Sequence, residues 1–263
     1  MPGIYPMAAL TILCSALLWG GCLYVLSGRA RRYLWLLLPG LPLSALANLW
    51  IKRPLATSVS QVAGVGLSFD LAQPVWLLIF LWLLSPLVEE AVKLLPLLLP
   101  PVRSYLTGDL AALWTGMGLG ISFGLGEAAY LAYGVAQSPL YASLPWYMFT
   151  GYFGERLLVC LVHGVMTAVA VYGLRKGRRQ AILAYLVAVG MHALVNAGAV
   201  LFQLGLISGW ATQASLLASM ILLLVVFERL RCRAIRTDAS AQLLADEIVY
   251  FTRNDPDQAN DLL

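Results

Sequence analysis

Between Pro74 and Pro100 the chain reads PVWLLIFLWLLSPLVEEAVKLLPLLLP, an apolar run that carries two adjacent carboxylates, Glu89 and Glu90, and the ammonium of Lys93. About 20 apolar residues are enough for a helix to cross the hydrocarbon core of a bilayer. A charged side chain at that depth costs about 2.5–3.5 kcal/mol on insertion scales unless it faces a polar cavity or a partner. The same cost recurs on three further apolar runs: at Glu127, at Glu155, Arg156 and His163, and at His192 with Asn196. A set spread over four helices reads as a polar site inside a membrane bundle.

The rest of the composition agrees. Of 263 residues, 60% are hydrophobic and 11% charged, and the mean hydropathy is +0.80. A soluble domain is about one quarter charged, so this chain is expected to be a polytopic integral membrane protein. The net charge of +4 is no sign of a nucleic-acid partner, because the basic residues cluster at the ends of apolar runs. Cys14, Cys22, Cys160 and Cys232 form no CxxC pair, which argues against a disulfide framework or a zinc ribbon. The N-terminus, MPGIYPMAAL, lacks the positive region of a cleavable signal, so the first apolar run is expected to be a retained helix.

Seven runs are long enough to span: 4–27, 33–51, 74–100, 110–135, 147–172, 180–202 and 208–228. The second is interrupted by Pro39, Gly40 and Pro42, and six spans result if it is re-entrant. The expected fold is all-α, a polytopic membrane helical bundle of about seven transmembrane helices (residues 1–236) with a polar cavity. A polar, partly helical cytoplasmic tail follows (237–263), with an apolar stretch at Leu243, Leu244, Ile248, Val249, Tyr250 and Phe251. With seven spans, twelve basic residues follow the odd-numbered helices, at Arg29 to Arg32, Arg103, Arg175 to Arg179 and Arg229 to Arg236. Only Lys52 and Arg53 fall on the other side. By the positive-inside rule the N-terminus lies outside and the C-terminus in the cytoplasm. The 52–73 connection is then an external loop, with a re-entrant lid as the alternative.

The polar residues fall in recognisable spacings. Glu89 and Lys93 are four apart, which predicts an ion pair on one helix face, with Glu90 about 100° round. Pro86 removes a backbone bond just before them. In TGMGLGISFGLGE (115–127), glycines 116, 120 and 124 make a bare ridge for close helix packing, which turns Glu127 inward. The GxGxG spacing and the absence of a preceding strand rule out a dinucleotide fingerprint. Glu155 and Arg156 are most economically a structural pair. His163 and His192, the only two histidines, both fall inside apolar helices, and Asn196 follows His192 by one turn. Two histidines with three interior glutamates and an asparagine form an inventory for metal ligation or general acid–base work.

In order along successive helices, EExxK (Glu89, Glu90, Lys93), FxxxE (Phe123 to Glu127), His163 and HxxxN (His192, Asn196) resemble the PrsW family. These are intramembrane metalloproteases within the wider group of CAAX-prenyl endopeptidases and bacteriocin-immunity-type proteins. The resemblance covers roughly 74–202. It departs from the CAAX branch, which usually has an arginine after its glutamates and a histidine ending its second motif, where this chain has Lys93 and Glu127. What the resemblance implies is a peptidase with a catalytic cavity in a prokaryotic plasma membrane, acting on membrane-spanning or membrane-proximal proteins, such as an anti-sigma factor in stress signalling.

On that reading Glu89 is the general base with Glu90 in support. His163, His192 and Glu127 ligate Zn2+, and Asn196 donates to the oxyanion or orients His192. A metal-free version, with a glutamate and a histidine holding the water, stays open because no HExxH helix is present. Two other classes fit buried Glu, His and Lys residues: a proton- or ion-coupled transporter, which lacks support from any inverted repeat, and a non-catalytic membrane scaffold.

Overall fold

The computed structural model describes residues 1–67 and 69–254, with side chains through Leu243. Its elements are α1 (Ile4–Leu26), a 3-10 turn (Arg31–Leu37), α2 (Leu43–Leu46), a π-helical turn (Ala47–Lys52), α3 (Arg53–Val62), α4 (Val75–Val92), α5 (Pro100–Arg103), α6 (Asp109–Ala136), α7 (Thr150–Arg175), α8 (Arg178–Gln203) and α9 (Gly209–Asn254). The described residues contain no strand. Six stretches are long and apolar enough to cross a membrane: Ile4–Leu26, Val75–Leu98, Asp109–Ala136, Trp146–Arg175, Arg178–Gln203 and Gly209–Leu243. The chain is an all-helical integral membrane protein.

The remaining crossing is a broken one. Arg175 and Lys176, ending α7, pair with Asp109 at the start of α6, and Arg32, just past α1, lies over the rings of Tyr33 and Tyr105. These groups mark one end of the bundle. At the other end, Leu78 and Ile79 of α4 share a groove with Val200 and Leu204 at the close of α8. The chain therefore runs from one end to the other between Arg31 and Pro74, through the 3-10 turn, the Pro39–Pro42 corner, the π-helical turn and α3. The span expected at 33–51 is replaced by this irregular path.

Non-helical backbone at membrane depth must find partners within the protein. Ser122 of α6 supplies them: its hydroxyl accepts from the Gly40 amide at 2.9 Å and donates to the Leu37 carbonyl at 2.8 Å. The proline and glycine corner can sit there because α6 is bare. A Cβ on Gly126 would lie 2.0 Å from the Leu41 carbonyl oxygen.

The opposite face of α6 carries the ridge expected from the sequence, and α7 lies against it. A Cβ on Gly120 would stand 2.2 Å from the His163 carbonyl oxygen, and one on Gly116 2.5 Å from the Ala168 Cα. The seam between α6 and α7 is the centre of the core, with Ile121, Val162, Met166 and Ala168 all buried. Helix α4 is fastened to α8 by Trp82, whose indole donates to the Ala193 carbonyl at 3.0 Å, and by Tyr185, whose hydroxyl donates to Leu87 at 2.7 Å. Beyond Arg236, α9 runs on unbroken, and Asp238 accepts from the Asp109 and Leu110 amides at 3.0 and 2.9 Å. It thereby satisfies orphan donors of the first turn of α6. The apolar stretch expected after Leu243 lies outside the residues whose side chains are described.

Candidate active site

Every polar residue singled out on α4, α6, α7 and α8 converges on one place. A cavity of about 270 Å³ is lined by Ser85, Glu127, Glu155, Arg156, His163, His192 and Asn196, with Asn48 and Lys52 from the π-helical turn. It has room for several waters, and its polar walls can hold them. Glu89, Glu90, Lys93, His163 and His192 are all buried.

The ion pairs differ from those expected on helix spacing. Lys93, the C-cap of α4, still donates its amide to the Glu89 carbonyl at 2.9 Å, but the Glu89 carboxylate is already taken by Lys52 and Ser85. Lys93 instead reaches Glu90 at 2.6 Å and also donates to Nδ1 of His163 at 2.7 Å. It lies 4.8 Å from the centroid of the Phe123 ring. Glu89 is paired with Lys52, Nζ to Oε1 at 2.5 Å, and both bond Ser85 Oγ, at 2.5 Å from Glu89 and 2.6 Å from Lys52. Lys52, placed on an external loop by the sequence, is thus a wall of the site.

The hydrogen bonds assign the imidazole tautomers. Nδ1 of His163 accepts from Lys93, so Nε2 carries the proton and donates to Glu127 Oε2 at 3.0 Å. Nδ1 of His192 faces the carboxylate of Glu90 at 2.7 Å and donates to it. This leaves Nε2 of His192 as an open lone pair. That nitrogen stands 3.8 Å from Glu89 Oε2, too far for a hydrogen bond, and Glu89 Oε2 is buried without a partner. Two acceptors face each other across a gap that only a proton donor or a cation can satisfy.

Glu127 accepts from Arg156 at 2.9 Å as well as from His163, and Arg156 also bonds Glu155 at 2.7 Å. The Glu155–Arg156 pair expected from sequence is present, but Arg156 is drawn into the site through Glu127. Among the described residues, Glu89, His163 and His192 each offer a ligand atom, all within 4.8 Å of one another. A carboxylate with two imidazoles is a donor set that zinc accepts, and the unpartnered Glu89 oxygen suits a cation. His163 fits on one condition: both its ring nitrogens are engaged, so one must let go. Glu127, expected as the third ligand, is here the partner of His163.

Lys52 and Ser85 escaped the sequence reading. The signal for Ser85 was its place four residues before Glu89. Lys52 left only the irregularity of the run that precedes it.

A family model described as PrsW family intramembrane metalloprotease matches residues 9–227. No curated protein and no solved structure matches the chain. The matched span takes in every helix that lines the cavity, including the broken crossing outside the 74–202 core, and the chain belongs to the PrsW family of intramembrane metalloproteases.

Proposed function

We propose that this cavity hydrolyses peptide bonds of membrane-spanning or membrane-proximal proteins, with water activated between Glu89 and His192. The observation that carries the reading is the facing pair of buried acceptors, Glu89 Oε2 and His192 Nε2, 3.8 Å apart. A water donating to both turns its lone pairs outward, toward an incoming carbonyl. Glu89 then takes the proton as the carbonyl is attacked, a contribution of about 10²–10⁴-fold for a positioned base. Glu90 holds the Nδ1 proton of His192 and so keeps its Nε2 lone pair facing Glu89. Asn196, one turn on and in the cavity wall, donates to the developing oxyanion.

Glu89, His163 and His192 are the residues that would hold zinc. Zinc bound there supplies a water acidified to a pKa of about 7 and a Lewis acid for the carbonyl. Glu89 is a ligand in that state and the base in the metal-free one. Purified protein that stays fully active with zinc content near zero and in the presence of chelators would reject the metal version.

The family context supports regulated proteolysis, with a membrane-spanning regulator such as an anti-sigma factor as the substrate class. The basic end of the bundle faces the cytoplasm on this reading, and the N-terminus lies outside. The test is trapping. Glu89→Gln protein, expressed with its native membrane proteome, should retain an uncleaved substrate that mass spectrometry identifies, and His192→Ala should abolish the fragment. A transporter would lose ion flux with no fragment ever formed, and a scaffold would keep its partner unprocessed in both wild type and variant.

A further inference from the structure

We propose that Lys52 is a built-in counter-cation that occupies the Glu89 carboxylate in competition with the metal, so that metal entry displaces Lys52 and loosens the π-helical turn that carries it. This rests on the reading of Glu89, His163 and His192 as a metal site.

In the buried part of the cluster each carboxylate already has its own cation: Glu89 has Lys52, Glu90 has Lys93 and Glu127 has Arg156. Glu155, at the rim, has a side chain 42% exposed. The interior is therefore balanced as it stands. A divalent ion added beside Glu89 brings two further positive charges into a region of low dielectric. At about 4 Å even a surface-like environment makes the repulsion between two unit charges a large term.

One of the three cations can leave. Lys93 is wholly enclosed, with 0% of its side chain exposed, and is held by Glu90 and His163. Arg156 is held by two carboxylates. Lys52 has a side chain 17% exposed to the cavity and bonds Glu89 itself, the carboxylate the ion would use. It is also the residue carried by an irregular segment. The π-helical turn Ala47–Lys52 is a rare conformation that concentrates at functional positions, and only the single turn of α2 separates it from the Pro39–Pro42 corner. Among the described residues, the side-chain hydrogen bonds from 43–62 to α4 are the two that Lys52 makes, to Ser85 and Glu89. Losing them leaves the segment held to α4 by the apolar packing of Leu43 and Ala47 beside Val88 and Val92 alone, and so loosens the end that carries Lys52.

The experiment uses the full chain in detergent micelles or nanodiscs. Zn2+ affinity is measured by competition with a chromophoric chelator for wild type, Lys52→Met, Lys52→Arg and Glu89→Gln. Lys52→Met should bind Zn2+ about ten- to a hundredfold more tightly, because the competing charge is gone. Lys52→Arg keeps the charge and should stay near wild type, and Glu89→Gln should bind far more weakly. If Lys52→Met binds no tighter while Glu89→Gln still weakens binding, the metal site stands and the competition is overturned. If Glu89→Gln leaves affinity unchanged, the metal reading itself fails and takes this inference with it. Should Lys52→Met not fold, hydrogen exchange on the wild type decides. Amides of 47–62 should exchange faster once Zn2+ is bound, and slower exchange there would overturn the proposal.

Discussion

Glu89 and Glu90 are neighbours in the chain, yet they stand in different regions of the site. Glu90 is turned into the protein, where one oxygen meets both Lys93 and His192. Glu89 lies behind the cavity wall, anchored through one oxygen by Lys52 and Ser85, which line the cavity, with the other left open beside His192. Each carboxylate keeps a second oxygen buried without a partner; that of Glu89 stands beside the open Nε2 of His192, and its counter-cation Lys52 reaches the cavity, so Glu89 is the one placed to work. The difference follows from the 100° step of the helix: Glu90 meets His192 of α8 and Glu89 meets Lys52 of the broken crossing.

Substitutions can break this division of labour. Glu89→Gln should lower cleavage of a single-span membrane substrate by about 10²–10⁴-fold, with the thermal unfolding midpoint in detergent little changed, since Lys52 can turn to the cavity. Equal destabilisation of Glu89→Gln and Glu90→Gln would end the distinction. Glu90→Gln leaves a buried lysine without its counter-charge and should lose about 3–5 kcal/mol of stability. The double variant Glu90→Gln/Lys93→Met should recover much of that loss in the same unfolding assay.

A smaller effect tests the seam that sets the depth of His163. Gly120→Ala forces a methyl against the His163 carbonyl oxygen and should cost about 1–3 kcal/mol. On the same helix, Gly134→Ala meets nothing within 4 Å and should leave the melting curve in place. Least of all, Glu155→Gln at the rim should change stability by less than about 1 kcal/mol, and cleavage assays should find it near wild type. A large loss there would extend the working region to the rim.

Much of this site is legible in the sequence. Charges inside apolar runs are expensive enough that Glu89, Glu90, Glu127, His163 and His192 could be picked out on cost alone, and their order along the helices led to the family. The glycine ridge was legible for a similar reason, since a four-residue repeat of missing side chains has few uses other than close packing. Partner choice was not. Helix spacing allowed a Glu89–Lys93 pair, but the cation that Glu89 takes lies 37 residues away in sequence, and Lys93 turns to Glu90 and His163 instead. Lys52 stayed hidden because the run before it, 33–51, has the length of a span, which puts Lys52 at the start of an external loop. The conformation of that run depends on Ser122 and the bare face of α6, which no local pattern announces.

Asp238 has a consequence of a different kind. By capping the first amides of α6 from the far side of α9, it turns the start of the C-terminal extension into a rigid outrigger of the bundle. A fluorophore or spin label just short of it, at Arg236 for instance, will tumble with the enzyme body and report on its orientation in the bilayer. Asp238→Ala should loosen that attachment and let the probe move on its own.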